Sequence, residues 1–142
     1  MHSLAIIAAN EITLEEALNY IAEFKKNFGD IVDQLSLLVN DGVGMKLAMY
    51  AKNEKLLFKI FRENSIHKSR SFLVEIDDLI GGSDLLLCID FLRGSSWSKM
   101  MQYAQTIGLR RNFKIMYVKL SEDRKKLPEI TCYNKPKISS IK

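Results

Sequence analysis

Short aliphatic runs alternate along this chain with segments whose apolar residues recur every three or four positions, and that alternation restricts the fold more than any other feature. LAIIAA, Leu4 to Ala9, reads as a strand. Thr13 and Glu16 then stand at capping-box spacing, and Leu14, Ala17, Leu18, Ile21 and Phe28 line one stripe of a helix. LSLLV, Leu35 to Val39, is a second strand, followed by a Gly-x-Gly turn at Gly42 and Gly44 and a helix carrying Leu47, Ala48 and Ala51. LLFKIF, Leu56 to Phe61, is a third strand. The stripe Phe72, Leu73, Ile76, Leu79 and Ile80 marks another helix, which Gly81-Gly82 terminates. LLLCI, Leu85 to Ile89, is apolar without interruption, as suits a strand covered on both faces. Trp97, Met100, Met101 and Ala104 mark a last helix with Gly108 as its stop, and FKIMYV, Phe113 to Val118, is the fifth strand.

Strands alternating with helices in this way imply βαβ units with right-handed crossovers. The expected fold is α/β, a Rossmann-like three-layer sandwich around a mostly parallel five-stranded sheet. Ligands of such sheets bind beyond the carboxyl ends of the strands, where the strand order reverses. Three loops leave strands at that edge: Ala9 to Glu11, Asn40 to Gly44, and Phe91 to Ser98.

The chain has 142 residues, 47% of them hydrophobic, which is the size of one domain. Residues 1–118 hold 14 basic and 14 acidic side chains, whereas residues 119–142 hold 7 and 3, so the whole net charge of +4 lies in the last segment. That segment also contains both prolines, Pro128 and Pro136, and reads as a basic tail, extended or partly disordered. Its charge would attract nucleic acid in a salt-sensitive way, or would only keep the chain in solution. The longest N-terminal apolar stretch is far short of the roughly 20 residues of a membrane span, and no basic region precedes it, so the expectation is a soluble, cytoplasmic protein without membrane contact. Cys88 and Cys132 form neither a disulfide framework nor a metal-ligand spacing, and Cys88 reads as a small core hydrophobe. Nothing in the sequence requires a metal or a cofactor. His2 and His67 have no partner at ligand or triad spacing.

The order of these motifs resembles the SLOG superfamily, in particular its YspA-like type, which is related to the DNA-processing protein DprA and to LOG phosphoribohydrolases. The helix of pattern Leu-Ala-x-x-Tyr-Ala in that type is matched by Leu47-Ala48-Met49-Tyr50-Ala51. Its Gly-Gly-Ala-x-Gly-Ala-Asp turn corresponds to Asn40-Asp41-Gly42-Val43-Gly44, its Arg-Asn pair to Arg70-Ser71, and its Gly-x-Ser-x-Gly-Thr loop to Gly94-Ser95-Ser96-Trp97-Ser98. The strand-ending Gly-Ser-Arg becomes Ala8-Ala9-Asn10, which lacks both the glycine and the arginine, and Trp97 replaces a loop glycine. The resemblance spans roughly residues 3–118.

It implies a nucleotide or nucleotide-derived ligand at the carboxyl edge. Gly42 and Gly44 would let the backbone approach phosphate, Arg70 would supply a countercharge, and Gly94, Ser95, Ser96 and Ser98 would form a hydrogen-bonding loop. Asn10 and Asp41 would contact ribose or base. The glutamate that is catalytic in LOG enzymes aligns with Met101, so the reading is binding as a sensor or sequestering protein, with no catalytic residue assigned. A phosphoribohydrolase is the alternative. A third reading is a DprA-like nucleic-acid accessory or oligomeric scaffold, with Arg110-Arg111 and Arg124-Lys125-Lys126 as basic contacts. The resemblance further implies a homo-oligomer, dimer or larger, for which Phe24, Phe28, Trp97, Met100 and Met101 would be contacts.

Overall fold

The computed structural model describes residues 2–39, 43–62 and 71–135. Asp41, Gly42, His67 and Arg70 lie outside these residues. The elements are β1 (Ser3–Ala8), α1 (Leu14–Phe28), β2 (Gln34–Val39), α2 (Val43–Asn53), β3 (Leu57–Arg62), α3 (Ser71–Gly81), β4 (Leu85–Phe91), α4 (Ser98–Arg110), β5 (Lys114–Leu120) and β6 (Glu129–Tyr133). The class is α/β. A single sheet has the order β3-β2-β1-β4-β5-β6, in which the first five strands run parallel and β6 is antiparallel to β5.

The expected five strands are therefore six. The extra strand comes from the segment read as a tail, where Ile130 pairs with Val118 and Cys132 with Met116. Its residues EITCY are exposed or half-buried, so hydropathy gives little sign of a strand; an edge position needs one face and one neighbour only. β5 itself runs on to Leu120.

Side chains alternate across the strands and separate two core clusters. Leu4, Ile6, Leu35, Leu37, Leu87 and Met116 pack with Ala17, Ile21, Phe24 and Phe28 of α1 and with Leu47 and Ala48 of α2. Ala5, Ile7, Leu38, Leu86, Cys88 and Ile115 pack with Ile76, Leu79 and Ile80 of α3 and with Trp97, Met101 and Ala104 of α4. Every residue of β4 is buried, as its uninterrupted apolar run requires. Cys88 lies within the second cluster, and burial raises its thiol pKa, which makes it inert.

Local signals account for the helix ends in part. The Thr13 hydroxyl accepts the Glu16 N–H, and the Glu16 carboxylate accepts the Thr13 N–H, each at 3.1 Å, so the capping box forms. Gly108 does not stop α4, which continues to Arg110. A Cβ at Gly108 would come within 3.2 Å of Ile115 Cδ1 and 3.4 Å of Phe113, so the glycine serves close approach of the helix to the start of β5; the turn is made at Asn112, with φ of 59°. Among the described residues no helix is long and apolar enough to cross a membrane.

Candidate functional site

β1 and β4 are neighbours, yet α1 carries the chain from β1 to β2 on one side while α4 carries it from β4 to β5 on the other. The strand order reverses between them, and their outgoing loops diverge to leave a crevice. A cleft of about 260 Å³ opens there, lined by Asn10 and Glu11 after β1, Phe91, Gly94, Ser95 and Ser96 at and after β4, and Glu122 and Arg124 after β5. Four of the residues expected at the site, Asn10, Gly94, Ser95 and Ser96, thus meet at one opening. Gly94 has φ of 85°, which an L side chain rarely adopts.

The loop after β4 is organised from below by Asp90, whose side chain is buried. Its Oδ1 accepts the Ser95 hydroxyl at 2.6 Å and the Phe91 N–H at 2.8 Å. Its Oδ2 accepts the Ser98 hydroxyl at 2.6 Å and the Tyr117 hydroxyl at 3.3 Å. Ser98 Oγ in turn accepts the Ser95 N–H at 2.7 Å, and Ser95 Oγ accepts the Trp97 N–H at 3.1 Å. A hydroxyl has one proton to donate, and Ser95 and Ser98 have both donated theirs inward. They shape the loop from within and offer no O–H to a molecule in the cleft. Ser96 is exposed and takes no part in this network. Burial, followed by the charge of Asp90, raises the pKa of the Tyr117 hydroxyl, so this donor stays protonated.

Gly44 stands apart from the cleft. It lines a void of about 10 Å³ with Ile6, Ile7, Ala8, Leu38, Val43, Leu47 and Trp97, room for a single water at most. Trp97 is buried, and its indole Nε1–H donates to Asn10 Oδ1 at 2.8 Å, which fixes the ring between the Gly44 end of α2 and the cleft. Met101, which the resemblance aligns with the LOG glutamate, is fully buried against the sheet.

Arg124 is a cation of this edge beside Arg93, which pairs with Glu122 at 2.8 Å, and reading Arg124 as part of an extended or partly disordered tail concealed its place. Its Nε and Nη2 reach the two Glu16 carboxylate oxygens at 2.7 and 3.0 Å, Nη1 donates to the Glu122 carbonyl at 2.7 Å, and Nη2 donates to the Glu11 carbonyl at 3.1 Å. The guanidinium also lies 5.0 Å from the centre of the Phe91 ring. The hydrogen bonds to Arg124 hold the Glu16 carboxyl below its usual value. Arg124 clasps the β5–β6 loop onto α1 and closes one wall of the cleft. Only its spacing from acidic residues in three dimensions, 108 positions from Glu16, marks it, and no short motif carries that signal. Among the described residues no group of His, Cys, Asp and Glu could hold a metal ion.

No protein-family model, curated protein or solved structure matches this chain.

Proposed function

We propose that the chain is a SLOG-like domain, a Rossmann-like three-layer sandwich, that binds a nucleotide or nucleotide-derived small molecule in the cleft between the β1–α1 and β4–α4 loops without turning it over. The observation that carries this reading is the position of the cleft at the reversal of strand order between β1 and β4. Asn10, Gly94 and Ser96 are the ligand contacts among the described residues, joined by the ring of Phe91 and by the carboxylate of Glu11 as acceptor for ribose hydroxyls or a base amine. Glu122 is already paired with Arg93 at 2.8 Å and Arg124 with Glu16, so Glu11 brings the carboxylate of this cleft that no described ion pair engages, which suits a sugar or base better than a phosphate. Binding without turnover is favoured by Met101, since a side chain at that position lies in the core and away from the cleft. The nucleic-acid reading is weakened by topology. Arg110 and Arg111 end α4 at the amino edge of the sheet, whereas Lys125 and Lys126 follow β5 at the carboxyl edge, about 23 Å away for a seven-residue strand.

Phe24, Phe28, Trp97 and Met101 are buried in the domain's own core and leave no surface for a second copy. A homo-oligomer would draw on the exposed Met45, Met49, Leu57 and Ile60 of α2 and edge strand β3. Light scattering of the Ile60→Lys variant checks this, with loss of a dimer expected.

The test of binding is a thermal-shift screen with nucleoside mono- and diphosphates, NAD, ADP-ribose and cyclic nucleotides, repeated on Ser96→Trp, which fills the cleft. The expected result is a rise in melting temperature for one class, absent in the variant, with the compound recovered intact. Recovery as free base and sugar phosphate would establish the hydrolase instead. No shift with any compound would remove the reading.

A further inference from the structure

The segment that joins β5 to β6, residues 121–128, reaches both walls of the carboxyl-edge cleft. Glu122 Oε1 accepts from Arg93 Nε of the β4–α4 loop at 2.8 Å. Two positions on, Arg124 donates to the Glu16 carboxylate of α1 and to the Glu11 carbonyl of the β1–α1 loop. The two sides that diverge to form the crevice are thus tied to each other through this segment, by one ion pair on each side. Every residue from Glu122 to Pro128 is exposed, and the one aliphatic side chain among them, Leu127, is 89% exposed, so no apolar anchor holds the segment in the core. The backbone hydrogen bonds of Arg124, Lys125 and Lys126 stay within it, to Ser121 O, Asp123 Oδ1 and Ser121 Oγ. Arg124 also holds φ of 61°, a left-handed conformation that an arginine adopts at a cost and keeps only while its contacts outweigh that cost. Exposed ion pairs are weak and screened by salt, so an attachment of this kind is reversible.

What Arg124 covers gives this attachment a consequence. Its guanidinium lies 5.0 Å from the centre of the Phe91 ring, which lines the cleft and yet is only 4% exposed. A planar cation over an aromatic face occupies the place in which a base would stack. We infer that residues 121–128 are an autoinhibitory strap: closed, it holds both walls by its two ion pairs and caps the Phe91 ring with Arg124, and released from Glu16 and Arg93 it uncovers that ring to a planar group in the cleft. The inference rests on the nucleotide reading for what enters, whereas the opening of the strap does not depend on it.

The experiment is NMR on the isotope-labelled full chain, with backbone relaxation read over residues 122–127 and the Phe91 ring signals read in the presence of the soluble nitroxide TEMPOL, which broadens groups that solvent reaches. Glu16→Gln removes the charge and keeps the cap, since glutamine also closes a capping box; Glu122→Gln removes the other pair. In the parent chain the strap is expected to show order parameters near the rigid value of about 0.85, with the Phe91 ring unbroadened. In the Glu16→Gln/Glu122→Gln double variant the order parameters should fall below about 0.6 and the ring should broaden. Exchanging the charges, Arg93→Glu with Glu122→Arg, is expected to restore the order that Glu122→Arg alone removes, an outcome that a packing role for Glu122 would not give. Adenosine, a planar base without charge, is expected to bind the double variant roughly tenfold more tightly than the parent, because the competent form is no longer the minor one. A strap equally ordered in parent and double variant, a ring equally broadened in both, or measurable adenosine binding of equal affinity in both would overturn the inference. Adenosine that binds neither form, with the strap opening as described, would fail the nucleotide reading and leave the strap established.

Discussion

Two polar regions border β5 and share Tyr117, whose hydroxyl reaches Asp90 while its ring lies beneath Lys119. Around Asp90 every polar group is spent: the carboxylate accepts four hydrogen bonds, and the Ser95 and Ser98 hydroxyls that donate to it also accept backbone N–H groups. Across the strand, Lys119 and Glu129 line a groove without pairing and stay in contact with solvent, and among the described residues the buried Gln105 side-chain nitrogen has no acceptor. Both regions are rich in donors and acceptors, so composition alone does not separate them. What separates them is whether each donor already has its acceptor. A saturated network rigidifies the loop that it supports, while a buried donor left without an acceptor costs stability.

The comparison breaks most visibly at Asp90. Asp90→Ala leaves three hydroxyls and one N–H without their shared acceptor, and urea denaturation is expected to show a loss of about 4 kcal/mol at unchanged m value; a loss below about 1 kcal/mol would mean that the network contributes little. Gly94→Ala comes next. It forces a side chain into φ of 85° and sets a Cβ 3.1 Å from Ser98 Oγ, so about 1–2 kcal/mol should be lost by the same measurement. Arg124→Gln releases the β5–β6 loop from Glu16 at a cost of about 1 kcal/mol, kept small because the pair is partly exposed.

The same pair makes a pH prediction. Glu16 titrates below its usual value in the folded state, so its contribution is complete above the unfolded value of about 4.3 and is lost as the pH falls through the lowered folded value. Melting temperature measured from neutral pH downward should fall less steeply in that acid range for Arg124→Gln than for the parent chain. The smallest effect has the opposite sign. Gln105→Leu removes a buried donor that has no acceptor, and stability is expected to stay level or rise by a few tenths of a kcal/mol. A clear destabilisation there would show that the amide is paired after all and that the groove is closed like the Asp90 network.

Much of the fold was legible in the sequence, because periodicity, capping and turn residues act over a few positions. The Thr13–Glu16 box, the apolar run of β4 and the alternation that yields a mostly parallel sheet are all local patterns, and each appears where the sequence places it. Two of the three loops expected at the carboxyl edge, those after β1 and β4, were also legible, and Asn10, Gly94, Ser95 and Ser96 do converge at a cleft. What those side chains do there was not. Asn10 takes the Trp97 indole N–H across 87 positions, Arg124 reaches Glu16 across 108, and the serines turn toward an aspartate buried beneath them.

β6 escaped for a related reason, since an edge strand with an exposed face carries little hydropathic signal and is formed by pairing with Lys119 through Ile115. Gly108 looked like a helix stop and instead lets α4 approach β5, a contact that no neighbouring residue announces. By itself the sequence determined the first five strands and the four helices, the cap of α1 and that the sheet is mostly parallel, because those choices follow from short-range propensity and burial pattern. The tertiary structure alone decided the strand order, the antiparallel edge and the partner of each polar group. Hydrogen-bond satisfaction is a property of neighbours in space, and the chain brings those neighbours together only after it has folded.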